Sequence, residues 1–330
     1  MPTPEPTGLL TSGGARAEGL WHPLYVREKE RIEITDLLVD IGHRGERLPV
    51  RRDAVVEICR AHDDRWAARI VAGLPAVGGL LDEGYVDHLL VVVHGEIQRL
   101  SEEFRHGARM WAHVQPIVAT LRRCGHPPPY RVVDVGCGTG YVVRWLAANT
   151  NEPDVEFVGV DLNPALVNAA RTLADREELR CRFEVANVFA LDEPATVLIS
   201  TGVMHHFREG DLARFFAAHE RGPTVAFAHI DFQPSPIAPF GAWLFHRTRM
   251  RIPLSRHDGI RSAQRAHPPQ LLACMAQVNA PGFETWISGR HVRLTPLPCV
   301  LTNLIGTRRD LRESLLESLG RRADRLEVVV

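Results

Sequence analysis

Lysine is nearly missing from this chain: Lys29 is the single one, and every other basic side chain is arginine. Two chemistries go with that absence. There is no G-K-[ST] phosphate loop, and a Schiff-base lysine is restricted to Lys29, in a polar run unsuited to forming a pocket. An excess of one charge is lacking too, with 39 Lys+Arg against 40 Asp+Glu, so no polyanion is indicated as main partner and nucleic acid is not expected. The six cysteines, Cys59, Cys124, Cys137, Cys181, Cys274 and Cys299, form no C-x-x-C pair and no Cys/His set with metal-ligand spacing. They read as reduced side chains of a cytoplasmic protein without a metal centre. The uncharged run Ile70 to Leu81 has 12 residues and is broken by Pro75 and three glycines. It is too short to span a bilayer, and no membrane partner is expected. Residues 1–20, rich in Pro, Thr and Gly, lack the basic start and apolar centre of a signal peptide and are expected to form a disordered tail.

What is present fits a globular protein. Of 330 residues, 45% are apolar and 24% charged, enough for one large core or two smaller ones. Over residues 21–125 apolar side chains recur at three- and four-residue spacing, in Asp53–His62, Tyr85–Leu100 and Ala108–Leu121. That predicts a helical N-terminal module, which serves as a cover for a site, a homodimer interface or a partner-binding unit. Gly125-His126-Pro127-Pro128-Pro129 cannot be helical and marks a boundary. Beyond it strands and helices alternate, as a parallel sheet requires. Strands are expected at Arg131–Val135, Val155–Asp161, Arg180–Ala186, Thr196–Thr201, Thr224–Phe232, Glu284–Ser288 and Cys299–Gly306. Helices are expected at Tyr141–Asn149, Pro164–Asp175, Asp211–Arg221 and Pro269–Val278. Residues 310–330 add a short amphipathic helix and a tail.

The run Val132-Val133-Asp134-Val135-Gly136-Cys137-Gly138-Thr139-Gly140 is a buried strand that ends in an acid and turns through three glycines into a helix. Such a turn brings backbone N–H groups close to a ligand. Asp161 closes the next strand, where a carboxylate suits the two hydroxyls of a ribose. In the nicotinamide and flavin fingerprint the third glycine falls five residues after the first, a position held here by Tyr141. The string D-V-G-C-G-T-G instead resembles the first motif of class I S-adenosylmethionine-dependent methyltransferases. The resemblance covers about residues 131–309 within a domain drawn at 126–309. It implies a doubly wound, mostly parallel, seven-stranded Rossmann-like sheet of α/β class with S-adenosyl-L-methionine as cofactor. Asp134 would then lie near the cofactor's amino-acid portion, with Gly136, Cys137, Gly138 and Gly140 beneath it and Asp161 and Leu162 at the ribose. In the family an aspartate after the third strand holds the adenine. Here Asn187 and Val188 match, with loss of the charge, and a turn-forming role for Asn187 is the alternative.

The fourth strand ends at Thr201, counted with the cofactor residues, and opens into Gly202-Val203-Met204-His205-His206-Phe207. This resembles the V-L-H-H-F/L segment of small-molecule methyltransferases. No Asn/Asp-Pro-Pro-aromatic string occurs there, which disfavours methylation of DNA bases. His205 and His206 are candidate bases, or else cap the next helix. The insertion 233–267 carries aromatics and arginines, with Trp243 and His257 as substrate-lining candidates, the bland alternative being a solvated helix face. Methyl transfer to a small-molecule acceptor, by O-methylation, is the resulting expectation. RNA or protein methylation, a nicotinamide oxidoreductase and a non-catalytic binding relative are the alternatives.

Overall fold

A computed structural model of the chain describes residues 31–41, 46–189, 191, 193–288 and 300–328. The expected tail, Lys29 and Cys299 lie outside the described residues. Two compact units divide the chain: Met1–Leu90 with Pro239–Arg265, and Val91–Ala238 with Ala266–Val330.

The larger unit is built on one sheet. Its strands are β1 (Tyr130–Val135), β2 (Val155–Asp161), β3 (Arg182–Val185), β4 (Val197–Thr201), β5 (Ala226–Phe232), β6 (Phe283–Ser288), β7 (Leu301–Arg308) and β8 (Leu326–Val328). They lie in the order β8-β6-β7-β5-β4-β1-β2-β3. The first five pair in parallel. β7 runs antiparallel between β5 and β6, and β8 adds an antiparallel edge beside β6. The sheet therefore has eight strands, one more than expected, because the residues after the last helix turn back to pair with Trp286–Ser288.

Burial on both faces explains why the central strands are mostly apolar, all six residues of β1 being buried. Successive side chains point to opposite faces. Val132 joins Ile117, Val142 and Leu146 on one side, under the helices His106–Arg123 and Tyr141–Asn149. Val133 joins Phe215, Phe216 and Leu272 on the other, under Glu209–Glu220 and Pro269–Asn279. Each of those phenylalanines, fully buried, contributes about 1.5–3 kcal/mol. The helix Pro164–Arg176 starts where its sequence says it should. Asn163 accepts from the Ala165 N–H at 2.9 Å, and Pro164 occupies the first turn, where no donor is needed.

The smaller unit holds the helices Arg52–Ala61, Arg65–Ala72, Ala238–Arg249 and Pro253–Arg265, with two short hairpins. Its polar centre is buried His257. Nε2 meets Asp64 Oδ2 at 2.8 Å and Nδ1 meets Asp258 Oδ1 at 2.6 Å. The same two carboxylates organise backbone. Asp64 caps Arg65–Ala72 through the Ala67 N–H, and Asp258 accepts from the N–H groups of Ile34 and Thr35.

Candidate cofactor and acceptor site

Parallel strands place their carboxyl ends along one edge, and that edge carries the site. After β1 the chain turns at Gly136, whose N–H donates to the Val160 carbonyl at 2.8 Å. Gly136, Gly138 and Gly140 all have positive φ, which side chains rarely tolerate. Packing closes in on all three. A Cβ on Gly136 would lie 2.7 Å from Val203, and one on Gly140 would lie 2.3 Å from the Phe183 ring. Asp161 fixes the turn from the neighbouring strand. Oδ2 accepts from the Gly138 N–H and Oδ1 from the Asn163 N–H, both at 2.9 Å. Each oxygen has a second lone pair, and a ribose offers two hydroxyl donors.

Several buried side-chain oxygens at this edge have no protein partner: Asp134 Oδ1, Thr201 Oγ1, Gln233 Oε1 and Thr302 Oγ1. They sit at the ends of β1 and β4, just past β5, and at the start of β7 opposite Asp231. An unpaired buried acceptor costs about 1–3 kcal/mol, so the edge is made for a polar ligand. Asp134 shows the strain most. Burial, reinforced by the Asp161 charge, pushes its carboxyl up to about 8. A cationic or donor-rich group beside it would relieve both penalties. Cys137, inside the turn, is no thiolate: burial and the charges of Asp161 and Asp134 raise its thiol well above the usual range.

At the ends of β4 and β5 a second cluster forms. Asp231 Oδ2 accepts the backbone N–H of His205 at 2.9 Å, and Oδ1 meets His205 Nδ1 at 2.7 Å. Burial works to raise Asp231, but the His205 ring and the N–H groups of His205 and Phe232 outweigh it and hold the carboxyl below its usual range. Asp231 thus keeps the proton of a neutral His205 ring on Nδ1 and its lone pair on Nε2. The His206 ring lies beside it, tilted by 35° with centroids 4.3 Å apart. Deeper in the same unit, the His219 Nδ1–H donates to the Phe215 carbonyl at 2.8 Å. His219 Nε2 then accepts from His229 Nε2 at 2.9 Å, and His229 Nδ1 accepts from Ser200 Oγ at 2.8 Å. Burial holds both rings neutral, His219 at about 4 and His229 well below its ordinary value.

The structure gathers Asp134, Gly136, Cys137, Gly138, Gly140, Asp161, Leu162, Asn187, Val188, Thr201, His205 and His206 in the larger unit, whereas Trp243 and His257 belong to the smaller. Asn187 spends its Oδ1 on the Phe189 N–H at 3.0 Å, the turn geometry that was its alternative reading. Trp243 is exposed, and His257 is buried with both nitrogens taken by carboxylates. Two residues escaped the sequence reading. Asp231 had a signal, an acid at the carboxyl end of a strand, the same cue that marked Asp134 and Asp161. His94 had none. It lies against the glycine turn, where a Cβ on Gly138 would sit 2.6 Å from its ring.

A doubly wound sheet with a glycine turn after its first strand and an acid closing its second defines the cofactor half of a class I methyltransferase fold. Residues 132–222 match the family described as "Methyltransferase domain". Among curated proteins, trans-aconitate 2-methyltransferase of Acidovorax sp. is 36% identical over 59 residues, 18% of this chain and 22% of that protein. Demethylmenaquinone methyltransferase of Thermus thermophilus is 29% identical over 121 residues, 34% of this chain and 52% of that protein. The chain thus spans about half or less of these relatives. Among solved structures, the plantazolicin methyltransferase in complex with SAH aligns with a TM-score of 0.46 at 10% identity, over 68% of this chain and 98% of that one. The matched stretch, which holds the glycine turn and Asp161, is similar to that methyltransferase domain. Among the described residues no helix is long and apolar enough to cross a membrane.

Proposed function

We propose that this protein transfers a methyl group from S-adenosylmethionine to an oxygen of a small-molecule acceptor, with His205 as the base. The observation that carries the reading is the set of unpaired buried oxygens around the glycine turn, with Asp134 foremost. The residues fit the cofactor. Asp134 would face its cationic amino-acid portion, the Gly136–Gly140 turn would lie beneath it, Asp161 would take the ribose hydroxyls, and Val188 beside Asn187 would flank the adenine. The bound cofactor supplies an electrophilic methyl group on a sulfonium, so the protein has to align the acceptor and remove a proton. His205, with Nδ1 held by Asp231, takes that proton at Nε2. Thr201 and Gln233 supply acceptors near the same edge.

A small acceptor is favoured by the near-zero net charge and by the names of the relatives, which specify trans-aconitate and demethylmenaquinone. The scattered, unpaired cysteines suit the cytoplasm as working compartment.

Calorimetric titration with S-adenosylmethionine, S-adenosylhomocysteine and NADH tests the cofactor assignment. Binding of both adenosyl ligands without NADH is expected. Asp161→Ala should weaken that binding by about 2–4 kcal/mol, having lost charge-assisted bonds to ribose and to the Gly138 N–H. NADH binding alone, or unchanged affinity in the variant, would overturn the site.

A further inference from the structure

The helix Ala238–Arg249 carries its apolar side outward. Phe240, Trp243 and Leu244 are 66%, 46% and 49% exposed. Their three- and four-residue spacing puts them on one face, which exposed Arg247 continues a turn further on. The helix already has a packed side. His246 and Met250 are buried, and the His246 ring lies so close over Gly259 that a Cβ there would meet it at 2.0 Å. The outward stripe is therefore additional to the packing of its unit. Scattered exposed apolar residues are ordinary, but three adjoining ones, two of them aromatic rings stacked at 5.8 Å, make a patch.

The charge around the patch narrows the choice of occupant. No carboxylate occurs in the 26 residues between Asp231 and Asp258, while Arg247, Arg249, Arg251 and Arg256 fall there. Arg256 bonds the Met250 carbonyl, and the other three are exposed. A nucleic acid would match the arginines and leave Leu244 and Phe240 without a role. A second copy would set one acid-free, arginine-bearing face against another. An anionic lipid surface matches both parts: aromatic and leucine side chains enter the acyl boundary while arginines reach headgroup phosphates.

We propose that Ala238–Arg249 lies flat on anionic lipid, with the Phe240–Trp243–Leu244 stripe inserted and Arg247, Arg249 and Arg251 at the headgroups. At 12 residues the helix cannot cross a bilayer. Surface binding is distinct from a spanning helix, which none of the described residues forms, and it departs from the sequence expectation of no membrane partner. It does not depend on the methyl-transfer reading.

Flotation of the full chain with phosphatidylcholine vesicles, with and without phosphatidylglycerol, tests this. The chain should float with the anionic vesicles, release them at high salt and ignore the neutral ones. Phe240→Ser/Trp243→Ser/Leu244→Ser should weaken binding by about tenfold or more. Arg247→Gln/Arg249→Gln/Arg251→Gln should weaken it by about fivefold per arginine removed. Both variants should keep the wild-type unfolding midpoint and adenosyl-ligand affinity, which separates a surface effect from misfolding. Absence of flotation, equal binding to neutral vesicles or wild-type binding by either variant would overturn the proposal. So would a wild-type dimer that the serine variant converts to monomer, which would assign the stripe to a second copy.

Discussion

His257 and His205 are both buried histidines bonded to aspartate, and they are held in different ways. In the smaller unit His257 is held by two carboxylates, one at each nitrogen. Burial alone would lower its pKa, but the bonds and charges of Asp258 and Asp64 outweigh that and raise it. In the larger unit Asp231 meets His205 Nδ1 with one oxygen and accepts the His205 backbone N–H with the other, which selects the Nδ1–H tautomer. The number and placement of carboxylates separate the brace at His257 from the base proposed at His205. His219 and His229, which touch no carboxylate in their chain of bonds, are driven neutral by burial and complete the series.

Removing one carboxylate from each arrangement should give different losses. Asp258→Ala leaves His257 half-paired and strands the N–H groups of Ile34 and Thr35. Breaking a buried pair of this kind costs about 3–5 kcal/mol, so the unfolding midpoint should fall sharply in thermal denaturation. An unchanged midpoint would mean that His257 is not a brace. Asp231→Asn keeps the shape but presents an amide to His205, and should lower kcat by roughly a hundredfold or more while cofactor affinity stays near wild type. Loss of affinity without loss of kcat would place the pair outside the chemistry.

The smallest effects are in pH. His257 is raised in the folded state, so its contribution is complete below its ordinary value of 6.5 and fades as pH rises through the folded value. Asp134, raised from 3.8 to about 8, has the same sign: its contribution is greatest at low pH and is lost as pH climbs toward 8. Placing the cofactor's cationic group beside Asp134 favours the carboxylate, so adenosyl-ligand binding at neutral pH should release a proton. Titrations in buffers of different protonation enthalpy would read that release, and Asp134→Asn should abolish it.

Much of the larger unit was legible because its signals are local. The helix Tyr141–Asn149 begins after a glycine turn, β2 ends at an acid, and Asn163-Pro164 announces a helix start. The five parallel strands follow from apolar runs alternating with amphipathic ones. What was hidden depends on partners distant in sequence. Asp231 reaches His205 only through the β4–β5 register, and Asp64 reaches His257 across nearly two hundred residues of chain. β8 has three residues, too few to show a period, and β3 is shorter than its polar-flanked apolar run suggested. Asn187 was read at the adenine position with a turn as the alternative, and its bond to Phe189 displays the turn. His94 owes its position to a helix whose periodicity carries no hint of what lies beside it.

The antiparallel insertion of β7 beside β5 also constrains the order of assembly during synthesis. β5 ends at Phe232, yet the strand that covers its free edge begins at Leu301. A ribosome must deliver nearly seventy further residues before that edge is sealed, and among them are the two helices that complete the smaller unit. Throughout that interval the nascent sheet exposes an unpaired row of N–H and carbonyl groups on an apolar strand, the kind of edge that pairs with other chains. Slowing translation after Phe232 would lengthen this exposure, making the C-terminal third of the chain decisive for the yield of soluble protein.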